Sequence, residues 1–219
     1  MAPVRLMKAA VLHGQGDIRY EDYPLPETGR GQVLVKVRAA GICGSDITRV
    51  LGTGAHYYPI VLGHEFSGEV AETGEGVTCV KPGDKVVAAP LIPCGLCPDC
   101  QQGAYALCKH YSFIGSRQQG GFAEYVAIPE ANAVKFPQAY SFDQAAFFEP
   151  ASVALHGLLQ NEYRGGGIVA ILGAGTIGIF TGQWASIFGA EKVVFMDIDD
   201  ERLKIAKEIS QGICINISR

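Results

Sequence analysis

Four cysteines, Cys94, Cys97, Cys100 and Cys108, follow one another at the spacing C-x2-C-x2-C-x7-C. Four thiolates this close in sequence can surround one ion tetrahedrally and leave no open position, which is the chemistry of a structural zinc site. Close cysteines also hold iron–sulfur clusters, although the ferredoxin-type C-x2-C-x2-C-x3-C-P run is absent. A set of buried thiols is the third reading. Pro93, Gly95, Pro98 and Gly103 lie among the cysteines and predict a loop without regular elements. A metal would hold such a loop in place of a hydrophobic core.

A second set of residues is dispersed. Cys43 stands in Gly41-Ile42-Cys43-Gly44-Ser45-Asp46, His64 and Glu65 in Leu62-Gly63-His64-Glu65-Phe66, and Glu149 in Phe147-Phe148-Glu149-Pro150. Catalytic zinc takes about three N, S or O ligands and keeps a position for water or substrate. By spacing alone these residues also fit a small buried thiol and a helix-entry glutamate. Ser45, two residues past Cys43, is placed to relay a proton or, alternatively, to cap a turn.

The third motif is Gly173-Ala174-Gly175-Thr176-Ile177-Gly178, between an apolar run and a helical stretch. In that context the first glycine permits a tight turn, the second lets backbone approach a pyrophosphate, and the third lets helix pack on strand. The helix N-terminus then offers its free N–H groups to phosphate. Asp197 closes the next apolar run, where a carboxylate suits the ribose hydroxyls of NAD and repels the 2′-phosphate of NADP. The alternative is a glycine-rich turn in an unrelated α/β protein.

The elements that must position these residues change character along the chain. Residues 1 to about 150 read as short strands, at 33–37, 68–71, 85–88 and 122–128, separated by glycine- and proline-rich turns. This pattern predicts a compact barrel-like β domain. Beyond it a helix over 152–161 is followed by strands at 167–172 and 193–196, helices at 176–188 and 200–209, and a further strand at 213–216. The first of these strands is a continuous apolar run, as in a strand buried on both faces. The fold class is therefore mixed β and α/β. One half of a dinucleotide-binding fold is read here where two are needed, so the chain is expected to be part of a longer polypeptide.

Composition narrows the class. Of 219 residues nearly half are hydrophobic, and the formal net charge is -4 with no basic run, which argues against a nucleic-acid partner. No stretch approaches the roughly 18 to 20 apolar residues of a membrane span. The N-terminus has no signal-type apolar core. The seven cysteines are then expected to be thiols or metal ligands, and the protein cytoplasmic.

Taken in this order, the Gly63-His64-Glu65 run, the four-cysteine segment and the Gly173 motif resemble the zinc-containing medium-chain dehydrogenases, from about Met7 to the end of the chain. Glu149, in Phe148-Glu149-Pro150-Ala151-Ser152, resembles the polyol, or sorbitol, branch; the alcohol branch would have a cysteine near there. The runs Gly54–Ile60, Leu62–Gly68, Phe113–Arg117 and Gly120–Tyr125 are similar to members acting on galactitol 1-phosphate. The resemblance implies a GroES-like catalytic domain over residues 1–150 and the first half of a Rossmann domain over 151–219. It implies two zinc ions, one catalytic and one structural, and NAD as cofactor. Cys43 and His64 would hold the catalytic zinc, with Glu149 as third ligand directly or through water, and Glu65 beside the metal and able to replace it. Asp197 and Arg202 would meet the adenosine ribose.

The implied reaction is hydride transfer to NAD from a secondary alcohol assisted by zinc, converting galactitol 1-phosphate to tagatose 6-phosphate. Arg49, six residues past Cys43, and Arg117, in a glycine-flanked loop, are the candidates for the phosphate, since guanidinium forks onto that group. His56, Tyr57 and Tyr58 are expected either to line the pocket or to pack beneath their loop. The full-length form is expected to be a homo-oligomer. Two other readings remain open: a sorbitol-type dehydrogenase acting on an unphosphorylated polyol, and an inactive zinc-binding fragment.

Overall fold

A computed structural model of the chain describes residues 4–218. The chain forms two compact units, divided between Glu149 and Pro150.

In the first unit, β1 (Leu6–Gly14), β2 (Asp17–Pro24), β3 (Gln32–Gly41), α1 (Gly44–Leu51), β4 (Ile60–Val61), β5 (Glu65–Thr73) and β6 (Lys85–Ala88) lead to the four-cysteine segment. That segment contains β7 (Leu91–Ile92), α2 (Pro98–Gln101) and β8 (Ser112–Phe113). After it come β9 (Tyr125–Pro129), β10 (Ala133–Lys135) and α3 (Phe142–Ala146), and α4 (Phe148–Gln160) runs across the division.

A five-stranded antiparallel sheet in the order β10-β6-β5-β3-β9 is the frame of this unit. Val33 and Val35 of β3, Val126 and Ile128 of β9, and Val86 and Ala88 of β6 are buried at alternate positions and meet Phe66, Val70 and Ile114 in one core cluster. Branched side chains at period two suit a pleated sheet with one covered face. A second sheet, β2-β1-β4, grows from a hairpin turning at Gln15 and Gly16. Met7, Ala9 and Val11 face the interior from β1.

Two features of the four-cysteine segment and its surroundings correct the sequence reading. The segment does contain regular structure, the single-turn α2, because Pro98 stands at its first position, where a missing N–H costs nothing and the fixed φ suits a helix. The strand expected from residue 122 starts at Tyr125. Phe122 is held outside it, its N–H donating to the Leu62 carbonyl and its own carbonyl accepting from Ala10.

The second unit carries β11 (Ile168–Leu172), α5 (Thr176–Ile187), β12 (Lys192–Asp197), α6 (Asp200–Ser210) and β13 (Ile213–Asn216). The strands pair in parallel in the order β11-β12-β13, as strands joined through helices do. Val193 and Phe195 point to the side covered by Ala185 of α5 and by Leu203 and Ala206 of α6. Phe195 is fully buried, worth about 1.5–3 kcal/mol by area removed from water. The Trp184 indole N–H donates to the Ala151 carbonyl at 2.9 Å and ties α5 to α4. β11 departs from the expected two-sided burial: Ile168 and Leu172 are 65% and 80% exposed and only Ile171 is buried. Among the described residues α5 and α6 join one core cluster, so the sheet is covered on that face.

Candidate active site and metal centres

Cys43 is the N-cap of α1, and the carboxylate of Asp46 accepts the Cys43 backbone N–H at 3.0 Å. This capping contact fixes the thiol at the point where β3 ends and the helix begins. Glu65 begins β5, with His64 immediately before it, and lies directly across from Gly41 of β3. A Cβ at Gly41 would stand 2.5 Å from the Glu65 carboxylate, so the glycine makes the room that carboxylate occupies. Sulfur, ring nitrogen and carboxylate oxygen of Cys43, His64 and Glu65 thereby fall within 4.8 Å of one another.

Asp46 has a second task. Its other oxygen lies 3.6 Å from Nδ1 of His64, with both side chains almost fully buried. Neither of these two atoms has a hydrogen-bond partner at shorter range. A carboxylate facing one ring nitrogen orients the imidazole and leaves the other nitrogen as a ligand, the usual support of a metal-bound histidine. Burial pushes the His64 pKa down, but Asp46, Glu149 and Glu65 around it prevail and raise it. Burial raises the pKa of Glu149, His64 lowers it, and Glu65 and Asp46 add to the rise. A histidine, a thiol and three acidic groups at a half-buried point make a negative pocket suited to a divalent cation. Among the described residues the group within 4.8 Å holds Glu65 and not Glu149.

Asp46 was not singled out from the sequence. The signal available was its position three residues past Cys43, where a carboxylate can cap the helix that the thiol begins. Changing Asp46→Ala is expected to weaken zinc binding at the Cys43 site by roughly 10- to 100-fold. Competition with a chelator of known affinity measures this, and unchanged affinity would remove Asp46 from the site.

The four cysteines meet as a second centre, with all four sulfurs within 4.8 Å. Sγ of Cys97 is 3.4 Å and Sγ of Cys94 is 3.9 Å from Sγ of Cys100. A tetrahedron with Zn–S bonds of about 2.3 Å separates its sulfurs by about 3.8 Å, so the spacing fits one zinc ion. The thiols are free, not paired as disulfides. Backbone N–H groups of Leu96 and Cys97 point at Cys94 and lower its pKa to about 6. Burial and the neighbouring thiols push Cys100 up to about 12. Cys94 is thus more readily ionised than an ordinary thiol, and a cation would favour the thiolate form of all four.

In the second unit Gly173 has φ +100°, the left-handed region that favours glycine, and it turns the chain from β11 toward α5. A side chain at Gly178 would run into the Gly173 carbonyl, whereas one at Gly175 would meet nothing within 4 Å. Gly175 caps α5, ahead of Thr176 and Ile177, so the open space lies at the helix N-terminus where a phosphate is stabilised. Asp197, at the end of β12, accepts the Ala174 N–H at 2.7 Å and the Asp199 N–H at 3.0 Å. These bonds hold its carboxyl below the usual carboxylate range. Arg202, exposed on α6, lies 3.7 Å from Asp199, the N-cap of its own helix. Gly175→Val is expected to weaken NADH binding by more than about tenfold without unfolding the unit, because the branched side chain fills the open space. Gly178→Ala is expected to destabilise the unit itself by about 1–3 kcal/mol. Fluorescence titration and denaturant unfolding separate the two, and equal stability losses would refute the assignment of Gly175 to the ligand.

Of the remaining candidates, Ser45 is half-buried on the first turn of α1 and Arg49 on its last. His56, Tyr57 and Tyr58 are exposed on the loop between α1 and β4. Burial and the nearby Tyr23 raise the Tyr57 pKa. Arg117 is exposed, with its guanidinium 4.6 Å over the Tyr111 ring.

Residues 29–138 match the alcohol dehydrogenase GroES-like domain. The chain is 43% identical to galactitol 1-phosphate 5-dehydrogenase of Escherichia coli K12 over 213 residues, covering 97% of this chain and 62% of that protein. Sorbitol dehydrogenase of Bacillus subtilis 168 is 35% identical, with 96% of this chain and 61% of that protein covered. The chain therefore spans about 62% of the length of the curated relatives it matches. Among solved structures, galactitol-1-phosphate dehydrogenase from Escherichia coli superposes with a TM-score of 0.91 at 42% identity, covering 97% of this chain and 62% of that one. A dehydrogenase from Sinorhizobium meliloti 1021 bound to NADP gives 0.93 at 38%, with coverage of 98% and 63%. An alcohol dehydrogenase from Escherichia coli CFT073 complexed with NADH gives 0.89 at 33%, also with coverage of 98% and 63%. With its curled antiparallel sheet, parallel βα unit and two clusters of metal-ligand side chains, the chain belongs to the alcohol dehydrogenase GroES-like family, that of the zinc-containing medium-chain dehydrogenases.

Proposed function

We propose that the protein takes part in the zinc-dependent oxidation of a phosphorylated polyol, galactitol 1-phosphate to tagatose 6-phosphate, with hydride transfer to NAD. The observation that carries this reading is the convergence of Cys43, His64 and Glu65 within 4.8 Å, a donor set that fits a catalytic zinc. Cys43 and His64 would hold the ion, with Glu65 in the same group of donors, and Glu149 acts electrostatically on His64. When bound, zinc supplies a Lewis acid that makes an alcohol far easier to deprotonate. The protein's own groups do the rest. Asp46 keeps the His64 ring in place. Ser45, on the first turn of α1, takes the alcohol proton outward. NAD, when bound, would supply the acceptor for the carbon-bound hydrogen with its electron pair, so that the carbinol would become a carbonyl. The four cysteines hold a second, structural zinc. The 43% identity to a galactitol 1-phosphate dehydrogenase supports the substrate.

The second reading is an unphosphorylated polyol, favoured by the 35% identity to a sorbitol dehydrogenase. Steady-state assays of the zinc-loaded native polypeptide with NAD decide between them. NADH formation with a markedly lower KM for galactitol 1-phosphate than for galactitol is expected. Equal KM values favour the second reading, and no NADH from any polyol sinks both.

A further inference from the structure

We infer that Arg49 is the anion receptor of the substrate site, taking the phosphate monoester of the polyol, and that Arg117 is not; the inference rests on the dehydrogenase reading above. The two arginines are equivalent in the sequence and differ sharply in the structure. Arg117 is exposed and already engaged, stacked on the Tyr111 ring with an Nη2 to Tyr111 Oη distance of 3.5 Å. Arg49 is half-buried, and its Nε and Nη1 atoms are shut off from solvent without a hydrogen-bond partner. Among the described residues no carboxylate lies within ion-pair range of it.

A guanidinium cannot escape this position by losing its proton. Guanidinium donors shut off from water without an acceptor are costly, so the position favours an anion that reaches them. The nearest acidic side chain on the same helical face, Asp46, is turned to the Cys43 N–H and the His64 ring. The missing anion is therefore not one that α1 supplies.

Placement makes the substrate the source. Cys43 caps the short helix that carries Arg49 in its last turn. Six residues of helix separate their Cα atoms by about 9 Å along the axis. Long helical side chains tend to lean toward the helix N-terminus, the end at which Cys43 stands. A polyol whose reacting alcohol sits beside Cys43 and His64 can thus present a phosphate several carbons away to Arg49. Guanidinium meets phosphate with paired, charge-assisted hydrogen bonds, which ammonium does not reproduce.

The test compares Arg49→Met, Arg49→Lys and Arg117→Met in the zinc-loaded native polypeptide. One arm is binding of inorganic phosphate, followed by calorimetry. The other is the ratio of kcat/KM for galactitol 1-phosphate to that for galactitol. Arg49→Met is expected to lower phosphate affinity and this ratio by roughly 10- to 100-fold, mainly through KM. Arg49→Lys falls between, and Arg117→Met changes the ratio by less than about threefold. Should Arg49→Met fail to fold, the ratio in Arg49→Lys decides. An unchanged ratio in both Arg49 variants, or an equal loss from Arg117→Met, overturns the assignment. If no polyol is oxidised but Arg49→Met abolishes phosphate binding, the anion site stands and the dehydrogenase reading falls. If galactitol and its phosphate are oxidised equally well, the reverse holds.

Discussion

Cys97→Ser is expected to remove one of two zinc ions per chain and to unfold the segment between Cys94 and Cys108, leaving the five-stranded sheet intact. The segment has almost no core of its own. Its buried residues are Cys100 and Cys108, while Leu96 is 82% and Leu107 65% exposed. Its helical structure is the single-turn α2 and a 3-10 turn at Tyr105–Leu107, and the flanking short strands, β7 and β8, pair through two residues each. So little burial cannot offset the conformational entropy of ordering the segment, about 1–2 kcal/mol per residue for the backbone alone. A structural zinc contributes on the order of 10–16 kcal/mol in small zinc-held folds, and that contribution is folding energy for the segment. Cys97 is a demanding place to lose a ligand. Its sulfur closes the tetrahedron on Cys100 at 3.4 Å, its N–H points at the Cys94 sulfur, and it caps α2, which carries Cys100. The sheet is anchored independently by the Val33, Val35, Phe66 and Ile128 cluster. Elemental analysis and hydrogen exchange check both halves of the expectation. Unchanged zinc content, or iron with an iron–sulfur absorption band in the wild-type protein, would refute the structural zinc.

The sequence was most informative where chemistry leaves few alternatives. Four thiols at short spacing and a glycine motif ending a strand each admit one compact geometry, and the four sulfurs and the β11–α5 turn adopt it. The strands over 33–37, 85–88 and 213–216 were legible from apolar runs bounded by turns, and β3, β6 and β13 cover them. What was not legible depended on contacts between distant segments. The β1–β2 hairpin was passed over, although Met7, Ala9 and Val11 alternate correctly, because its partner strand is mostly polar on the outer face. Helix α1 is hard to read because its apolar residues, Ile47, Val50 and Leu51, fill a single helical turn, too short a run to establish a period, and Ile47 and Leu51 are exposed. Missing the helix also hid Asp46, whose reach to His64 exists only when β5 is folded beside α1. The grouping of Glu65 with Cys43 and His64 likewise depends on the pairing of Gly41 with Glu65, a register that no local pattern encodes.

The wild-type protein is expected to bind NADH at least about 100-fold more tightly than NADPH, since setting like charges together costs several kcal/mol. We propose Asp197 as the group responsible. It lies at the end of β12 with both carboxylate oxygens anchored by backbone N–H groups, from Ala174 and Asp199. Those bonds depress its pKa, so the carboxylate stays charged wherever the cofactor is stable enough to assay. An anchored carboxylate cannot swing away from a 2′-phosphate, whereas its remaining lone pairs can still accept two ribose hydroxyls. Arg202 does not reverse this preference in the free protein, because it sits at ion-pair distance from Asp199. Asp197→Gly is expected to bring the two affinities within roughly tenfold of each other by removing the repulsion and the ribose hydrogen bonds together. It also leaves the buried Ala174 N–H without its acceptor, at a cost of about 1–3 kcal/mol in the stability of the unit. Asp197→Asn separates the effects, since it removes the charge but can keep one of the two backbone bonds. In Asp197→Asn NADPH binding should improve while NADH binding weakens only modestly. Fluorescence titration of both reduced cofactors measures the ratio. A wild-type protein that binds NADPH as well as NADH would show that the 2′-position lies outside the reach of Asp197, and would take the cofactor choice away from β12 altogether.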